Sequence, residues 1–180
     1  MKLLIASDIH GSAYYMKKLT AAIKEEMPDK IILLGDLLYH GPRNDLPKEY
    51  NPKDVIDILN SLKEKLICVR GNCDTEVDQM VLSFPILSDY LTVFTDGLTI
   101  YISHGHIYNK ENPLSFNKGD VFISGHTHIP ILENIDGVTY LNPGSVSIPK
   151  ENSPHSYMIY EKGNFIWKDL SLKEYKHIEI

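Results

Sequence analysis

Short apolar runs recur along this chain, and five of them end in side chains able to ligate a metal. Leu3–Ala6 leads into Ser7-Asp8-Ile9-His10, Ile31–Leu34 into Gly35-Asp36, and Leu66–Val69 into Arg70-Gly71-Asn72-Cys73-Asp74. Thr99–Ile102 leads into Ser103-His104-Gly105-His106, and Val121–Ile123 into Ser124-Gly125-His126-Thr127-His128. Runs this short, closed by glycine or polar residues, predict buried strands. Each polar set then sits at the carboxyl end of a strand, where open sheets collect their ligands.

The intervening pattern predicts helices. Met16, Leu19, Ile23 and Met27 repeat at the spacing of one helix face, which predicts a helix over Ala13–Met27 with both methionines in the core. Pro28-Asp29 ends it, and the second strand follows. Tyr39–Pro52, with three prolines and Gly41, reads as a loop beside the Asp36 end of that strand. Val55, Ile56, Leu59 and Leu62 predict a helix over Pro52–Leu62, with Pro52 suited to its first turn. The third strand, 66–69, precedes a short helix within 75–82.

The second half changes character. Asp96-Gly97 and Asp136-Gly137 each separate two strand-like runs, a strong hairpin signal. Glu161–Asn164 joins a further pair, Ser156–Tyr160 and Phe165–Leu170. A βαβαβ half followed by a mostly antiparallel half fits two sheets packed face to face with helices outside. The tail, Lys173–Ile180, carries no readable pattern, and there is no internal repeat or linker. One domain spanning 1–180 is the simplest organisation for 180 residues, long enough to bury roughly 70% of the unfolded surface.

Composition narrows the setting. With 43% hydrophobic and 23% charged residues and no apolar run near the ~18 residues of a membrane span, a cytoplasmic globular protein is expected. Asp8 and His10 interrupt the N-terminal apolar stretch before any cleavage-site pattern can form. The formal net charge of −6 argues against a nucleic-acid partner, which requires Lys and Arg against phosphates. It is compatible with a phosphate-containing substrate, because bound cations reverse the local sign. Cys68 and Cys73 are too few for a disulfide framework and read as reduced thiols.

The candidate chemistry lies in two Asp, one Asn and four His. Asp8 and His10 flank Ile9, so an extended or turning backbone sends both side chains to one side, and His126 and His128 repeat the device around Thr127. Asp36 can bridge two cations through its two carboxylate oxygens. Asn72 offers a neutral amide oxygen and His104 a further imidazole. This mixture of N and O donors suits Mn²⁺, Fe²⁺, Zn²⁺ or Ni²⁺. Two such ions roughly 3.5–4 Å apart can clamp a phosphoryl group and bind the attacking water.

Asp8-Ile9-His10, Gly35-Asp36, Gly71-Asn72-Cys73-Asp74, His104-Gly105 and Gly125-His126-Thr127-His128 resemble, in order, the motifs of the calcineurin-like metallophosphoesterase superfamily. The resemblance spans residue 5 to about 149. The words around Asp36–Asn44, Arg70–Asp74 and Asn142–Ser145 resemble its YfcE-like group of small phosphodiesterases. The resemblance implies a four-layer α/β/β/α sandwich in the α/β class. It implies one metal on Asp8, His10 and His128, and a second on Asn72, His104 and His126, with Asp36 bridging. The implied cofactors are two divalent cations, Mn²⁺ first, with Ni²⁺, Fe²⁺ or Zn²⁺ as alternatives. The implied reaction is hydrolysis of a small phosphodiester by a metal-activated water at a dinuclear centre.

One departure stands out. Most of the superfamily reads Gly-Asn-His-Asp where this chain has Gly71-Asn72-Cys73-Asp74. The missing histidine is credited with protonating the leaving oxygen, and a thiol does this poorly, so good leaving groups such as aryl alcohols are expected to be favoured. General acid catalysis is worth about 10²–10⁴-fold. The thiol has three readings, a weak ligand, a residue on the substrate side or filler, of which the second is preferred because Asn72 supplies that segment's ligand.

Around this set the readings divide. Asn72, Cys73, His104 and His40 are the candidate catalytic residues. His40 either touches the substrate phosphate or packs in its loop. Asp74 is expected to accept hydrogen bonds behind the ligands, and His106 is either a partner of His104 or an exposed residue. Arg43 and Arg70 either contact phosphate or lie on the surface; His155 and His177 are read as non-functional. Asn142-Pro143-Gly144 has the composition of a turn bordering the second His pair. The rival to an enzyme is an interaction scaffold of the same fold with metal bound and little catalysis. That reading predicts eroded ligand positions, whereas every position here is filled. A homo-oligomer through exposed hairpin edges is compatible with the pattern.

Overall fold

A computed structural model describes residues 1–180. The chain runs β1 (Lys2–Ala6), α1 (Ala13–Glu26), β2 (Lys30–Leu33), α2 (Pro52–Ser61), β3 (Leu66–Cys68) and α3 (Glu76–Val81), and then through eight further strands. These are β4 (Tyr90–Thr95), β5 (Leu98–Ser103), β6 (Val121–Ile123), β7 (Ile131–Ile135), β8 (Val138–Asn142), β9 (Ser156–Glu161), β10 (Asn164–Asp169) and β11 (Glu174–Glu179). No helix is long and apolar enough to cross a membrane.

Two sheets form, in the orders β11-β10-β9-β1-β2-β3 and β4-β5-β6-β8-β7. The sheets do not divide at mid-chain: β9–β11 return to the first sheet, where β9 pairs antiparallel with β1. In the second sheet β6 pairs parallel with both β5 and β8, so it is more mixed than an antiparallel half implies. Strand alternation splits the core in two. Leu4, Ala6, Ile31, Leu33, Tyr157 and Ile159 face α1 and α2, while Leu3, Ile5, Ile32, Met158, Phe165 and Trp167 face Ile100, Ile102, Ile123 and Leu141 of the second sheet. The far face of the second sheet is covered by the 104–120 segment rather than by a helix, with Phe116 packed on Tyr101, Phe122 and Tyr140.

Local chemistry explains most boundaries. Ser12 caps α1 by accepting the Tyr15 N–H, and Asn51 caps α2 ahead of Pro52. Met16 is in the core as expected, but Met27 is not, being 76% exposed. It is the C-cap of α1 in a left-handed conformation (φ 47°), which carries its side chain off the helix face while its N–H still bonds the Ile23 carbonyl at 3.0 Å. The three hairpins turn through Asp96-Gly97, Asp136-Gly137 and Lys162-Gly163, every one of these residues at positive φ, as type I′ turns require. The tail forms β11, which pairs with β10 across a bulge at Trp167/Lys168. As an edge strand with no fully buried residue it carries no apolar alternation to read.

Candidate metal centre

The carboxyl ends of β1, β2, β3, β5 and β6 meet at one edge of the two-sheet stack. Asp8, His10, Asp36, His104, His126 and His128, with Asn72, converge there. Asp8, His10, His104, Asp36 and His128 are buried, each at most 3% exposed. Asp8, His10, Asp36, His126 and His128 all have positive φ, between 48° and 66°. Left-handed backbone costs an L residue about 1–2 kcal/mol, and here it turns the side chains inward rather than alternating them as in a strand. The turning backbone, not the extended one, is therefore the form that brings Asp8 and His10 together.

Glycines allow the close approach this needs. A Cβ on Gly71 would land on the Asp36 carboxylate, and one on Gly125 would land on the Ser7 hydroxyl beside Asp8. Asp74 fastens β2 to β3: Oδ2 accepts the Asp36 and Gly71 N–H groups at 2.8 Å each, and Oδ1 accepts Leu37 N–H at 2.9 Å. The Asn142-Pro143-Gly144-Ser145 turn braces the other side. Asn142 Nδ2 donates to the Gly125 carbonyl at 2.7 Å, and Ser145 and Ser147 hydroxyls donate to the Asp8 carbonyl at 2.9 and 3.0 Å.

The imidazole tautomers follow from their partners. Nδ1 of His10, His104 and His128 lies 2.8, 2.6 and 2.6 Å from the carbonyls of Tyr39, Leu34 and Ile148. A carbonyl only accepts, so each Nδ1 carries the proton and each neutral Nε2 presents a lone pair. Those lone pairs point at one another and at carboxylates. His10 Nε2 is 3.3 Å from His128 Nε2, and His104 Nε2 is 3.1 Å from Asn72 Oδ1 and 3.2 Å from His126 Nδ1. Asp8 Oδ1 is buried without a hydrogen-bond partner, 3.2 Å from His128 Nε2 and 3.6 Å from His10 Nε2. An orphaned carboxylate oxygen facing lone pairs is a donor set that calls for a cation, and the residues fit divalent metal.

Asp36 uses its oxygens unequally. Oδ1 accepts the Cys73 N–H at 2.8 Å, while Oδ2 lies 3.6 Å from both His10 Nε2 and His104 Nε2. Oδ2, the oxygen not taken by the Cys73 N–H, is thus the one turned toward the imidazoles. Without metal, burial opposes the Asp8 charge, but His10 and His128 outweigh it and hold the carboxyl well below the usual range. Burial likewise lowers His10, and the Asp8 carboxylate more than reverses that, raising it. Burial, then His104, lowers His126.

Over the donors lies a cleft of about 430 Å³, lined by His10, Asp36, Asn72, Cys73, Arg43 and Lys150 among others. Cys73 faces it, accepting from Asn72 Nδ2 at 3.2 Å, and burial followed by Asp36 pushes the thiol up to about 12. Cys68 is buried, and neither cysteine is paired. Arg43 lines the cleft, whereas Arg70 donates through Nε to the Asp74 carbonyl at 3.2 Å. His106 stands edge-on to His104 with ring centres 5.3 Å apart. His40 does not line the cleft; its ring packs edge-on to Tyr39 and Tyr50, at 4.8 and 5.3 Å. His155 stacks on Tyr15, and His177 bonds Asn164. Lys150 escaped the sequence reading: it belongs to no motif, and its N–H bond to the His128 carbonyl at 3.2 Å places it at the cleft.

The family model for the calcineurin-like phosphoesterase superfamily domain matches residues 1–164. Phosphodiesterase YfcE of Escherichia coli K12 is 45% identical over 157 residues, 87% of this chain and 85% of that protein. The solved structure of the E. coli phosphoesterase Yfce superposes with a TM-score of 0.96 at 40% identity, covering 100% of both chains. Phosphodiesterase MJ0936 of Methanocaldococcus jannaschii is 28% identical over 152 residues, 80% of this chain and 83% of that protein.

Proposed function

Because the chain belongs to the calcineurin-like phosphoesterase superfamily, we propose that it is a metal-dependent phosphodiesterase hydrolysing small phosphodiesters at a dinuclear centre. One domain over residues 1–180 carries the site. Asp8, His10 and His128 would hold one divalent cation and Asn72, His104 and His126 the other, with Asp36 shared between them. Mn²⁺ is the first choice of metal, with Ni²⁺, Fe²⁺ or Zn²⁺ as alternatives for this N/O donor set. When bound, the ions polarise the phosphoryl group and supply an activated water. The observation that carries the reading is the set of imidazole lone pairs turned onto the unpartnered Asp8 Oδ1 and onto Asp36 Oδ2.

The chain's own groups supply binding and orientation. Arg43 and Lys150, on the cleft wall, offset the negative charge of the substrate phosphate. Asn72 turns its amide oxygen toward His104 and its nitrogen toward Cys73, which fixes the substrate-side thiol. A thiol held protonated is a weak proton donor to an alkoxide, so activity depends on esters whose leaving group needs little help.

The test is metal-stripped protein assayed with a diester and a monoester of the same aryl alcohol, with Mn²⁺, Ni²⁺, Zn²⁺ and Mg²⁺ added in turn. Restored hydrolysis with preference for the diester is the expected result. Tight metal binding with no hydrolysis of either ester would instead identify an interaction scaffold.

A further inference from the structure

We propose that the substrates carry one apolar, ring-bearing ester arm, and that a second cavity beside the metal cleft holds it. The proposal rests on the phosphodiesterase reading above and names the substrate class for that site. The cavity, about 380 Å³, is walled by Tyr39, Tyr50, Pro52, Ile56, Val77 and Val81. Cys73 is its common wall with the cleft, where the thiol lies within 4.8 Å of donor atoms on His10 and Asp36. A phosphoryl group at the metal donors therefore has an ester arm's length to travel over the thiol into the apolar space.

Three features of the cavity favour an apolar arm over an anionic one. First, α3 buries none of its residues, and Val77 and Val81, one turn apart on the cavity side, are 69% and 45% exposed. Apolar side chains at such spacing ordinarily face a partner, and here they face the cavity. Second, Thr75 and Asp78 on its rim are bonded to each other. Thr75 N–H and hydroxyl donate to Asp78 Oδ2 at 2.7 and 2.9 Å, and Asp78 N–H donates to Thr75 Oγ1 at 3.4 Å. Third, the cations are on the other side: Arg43 and Lys150 line the cleft, and no cationic residue lines the cavity. The anionic phosphate is thus directed one way and a neutral arm the other.

His40 packs behind the cavity wall. Its ring lies edge-on between Tyr39 and Tyr50, and Asn44 Nδ2 holds its carbonyl at 2.8 Å. The two tyrosines form an aromatic wall, a surface suited to edge or offset contact with a ring.

The experiment uses p-nitrophenyl diesters whose second arm is methyl, phenyl or 2-naphthyl, with Mn²⁺-loaded protein. In the wild type kcat/KM is expected to rise about tenfold along the series, mainly through KM, a gain typical of filling an apolar pocket. The exposed positions allow a folded double variant, Val77→Ser with Val81→Ser, in which the series flattens while methyl-ester turnover stays within about twofold. A flat series in the wild type, or an unchanged slope in the variant, overturns the proposal. Binding of methyl(2-naphthylmethyl)phosphinate, whose two arms are joined to phosphorus by P–C bonds and cannot be hydrolysed, decides the cavity when read by fluorescence anisotropy. Wild type should bind it about tenfold more tightly than the variant, and equal affinities overturn the proposal. If no diester is hydrolysed with any metal, the phosphodiesterase reading fails on its own, and the anisotropy still reports on the cavity.

Discussion

Asp36 divides its work between its two carboxylate oxygens. Oδ1 is occupied by the Cys73 N–H, which ties the loop after β3 to the end of β2, and Oδ2 faces His10 and His104. An Asp36→Asn substitution keeps an oxygen for the Cys73 N–H and removes the charge. The fold should survive, with a melting temperature within a few degrees of wild type. Hydrolysis of an aryl diester should fall by at least about 100-fold, more than the 10–100-fold typical of groups one layer further from a metal. An active variant would count against Asp36 as the bridge. The residue types of this site were legible because Asp, Asn and His at strand ends have few other reasons to recur in one order. Their atoms were not. Which nitrogen of each ring faces inward is set by the carbonyls of Tyr39, Leu34 and Ile148, which lie 29, 70 and 20 residues away in the chain. His40 is less legible for a related reason: nearness to Asp36 in sequence does not say where a loop ring packs, and this ring packs edge-on to Tyr39 and Tyr50.

At the scale of elements, the hairpins and the turns that carry the candidate ligands use the same left-handed backbone with different visibility. Asp-Gly is a turn signal in any sequence, so β4–β5 and β7–β8 could be read directly. At Asp8, His10, Asp36, His126 and His128 the left-handed residue is itself the candidate ligand, and nothing local marks it. Packing against distant segments maintains it, as the Ser145 and Ser147 bonds to the Asp8 carbonyl illustrate. β11 was illegible for the opposite reason, since an edge strand facing solvent needs no apolar alternation. Two glycines separate these situations experimentally. Gly97 (φ 81°) has open space around a added side chain, so Gly97→Ala should cost about 1–2 kcal/mol of stability from backbone strain alone and leave activity unchanged. Gly71 abuts the Asp36 carboxylate and backbone, so Gly71→Ala must displace Asp36. Its activity should fall roughly 100-fold or more even if chemical denaturation shows a folded protein. Equal activity losses in the two variants would remove the distinction between a structural and a site-forming turn.

For the whole molecule, the decisive fact is that the donors come from both sheets. Asp8, His10, Asp36 and Asn72 follow strands of the first sheet, whereas His104, His126 and His128 follow strands of the second. On the proposed function, divalent ions bound among them would link the two layers across the end of the apolar interface and would bind only when both layers are in place. Metal should therefore stabilise folding by mass action, by about 2.7 kcal/mol at a free concentration 100 times its Kd. For a chain of this size that corresponds to a rise of roughly 5–10 °C in melting temperature. The gain also has a pH signature. In the metal-free protein the His10 pKa is raised above 6.5, so its proton stabilises the fold fully below 6.5, and that contribution is lost as pH rises through the folded value. The same proton must leave before His10 Nε2 can take a metal. Both effects act in one direction: as pH falls toward 6, the metal-free fold strengthens at this residue while metal binding weakens. Melting curves with Mn²⁺ and with chelator should consequently lie far apart at pH 8 and converge on acidification, and Asp36→Asn should show a smaller separation at every pH. Curves that coincide at pH 8 with saturating metal would show that ions do not join the two sheets.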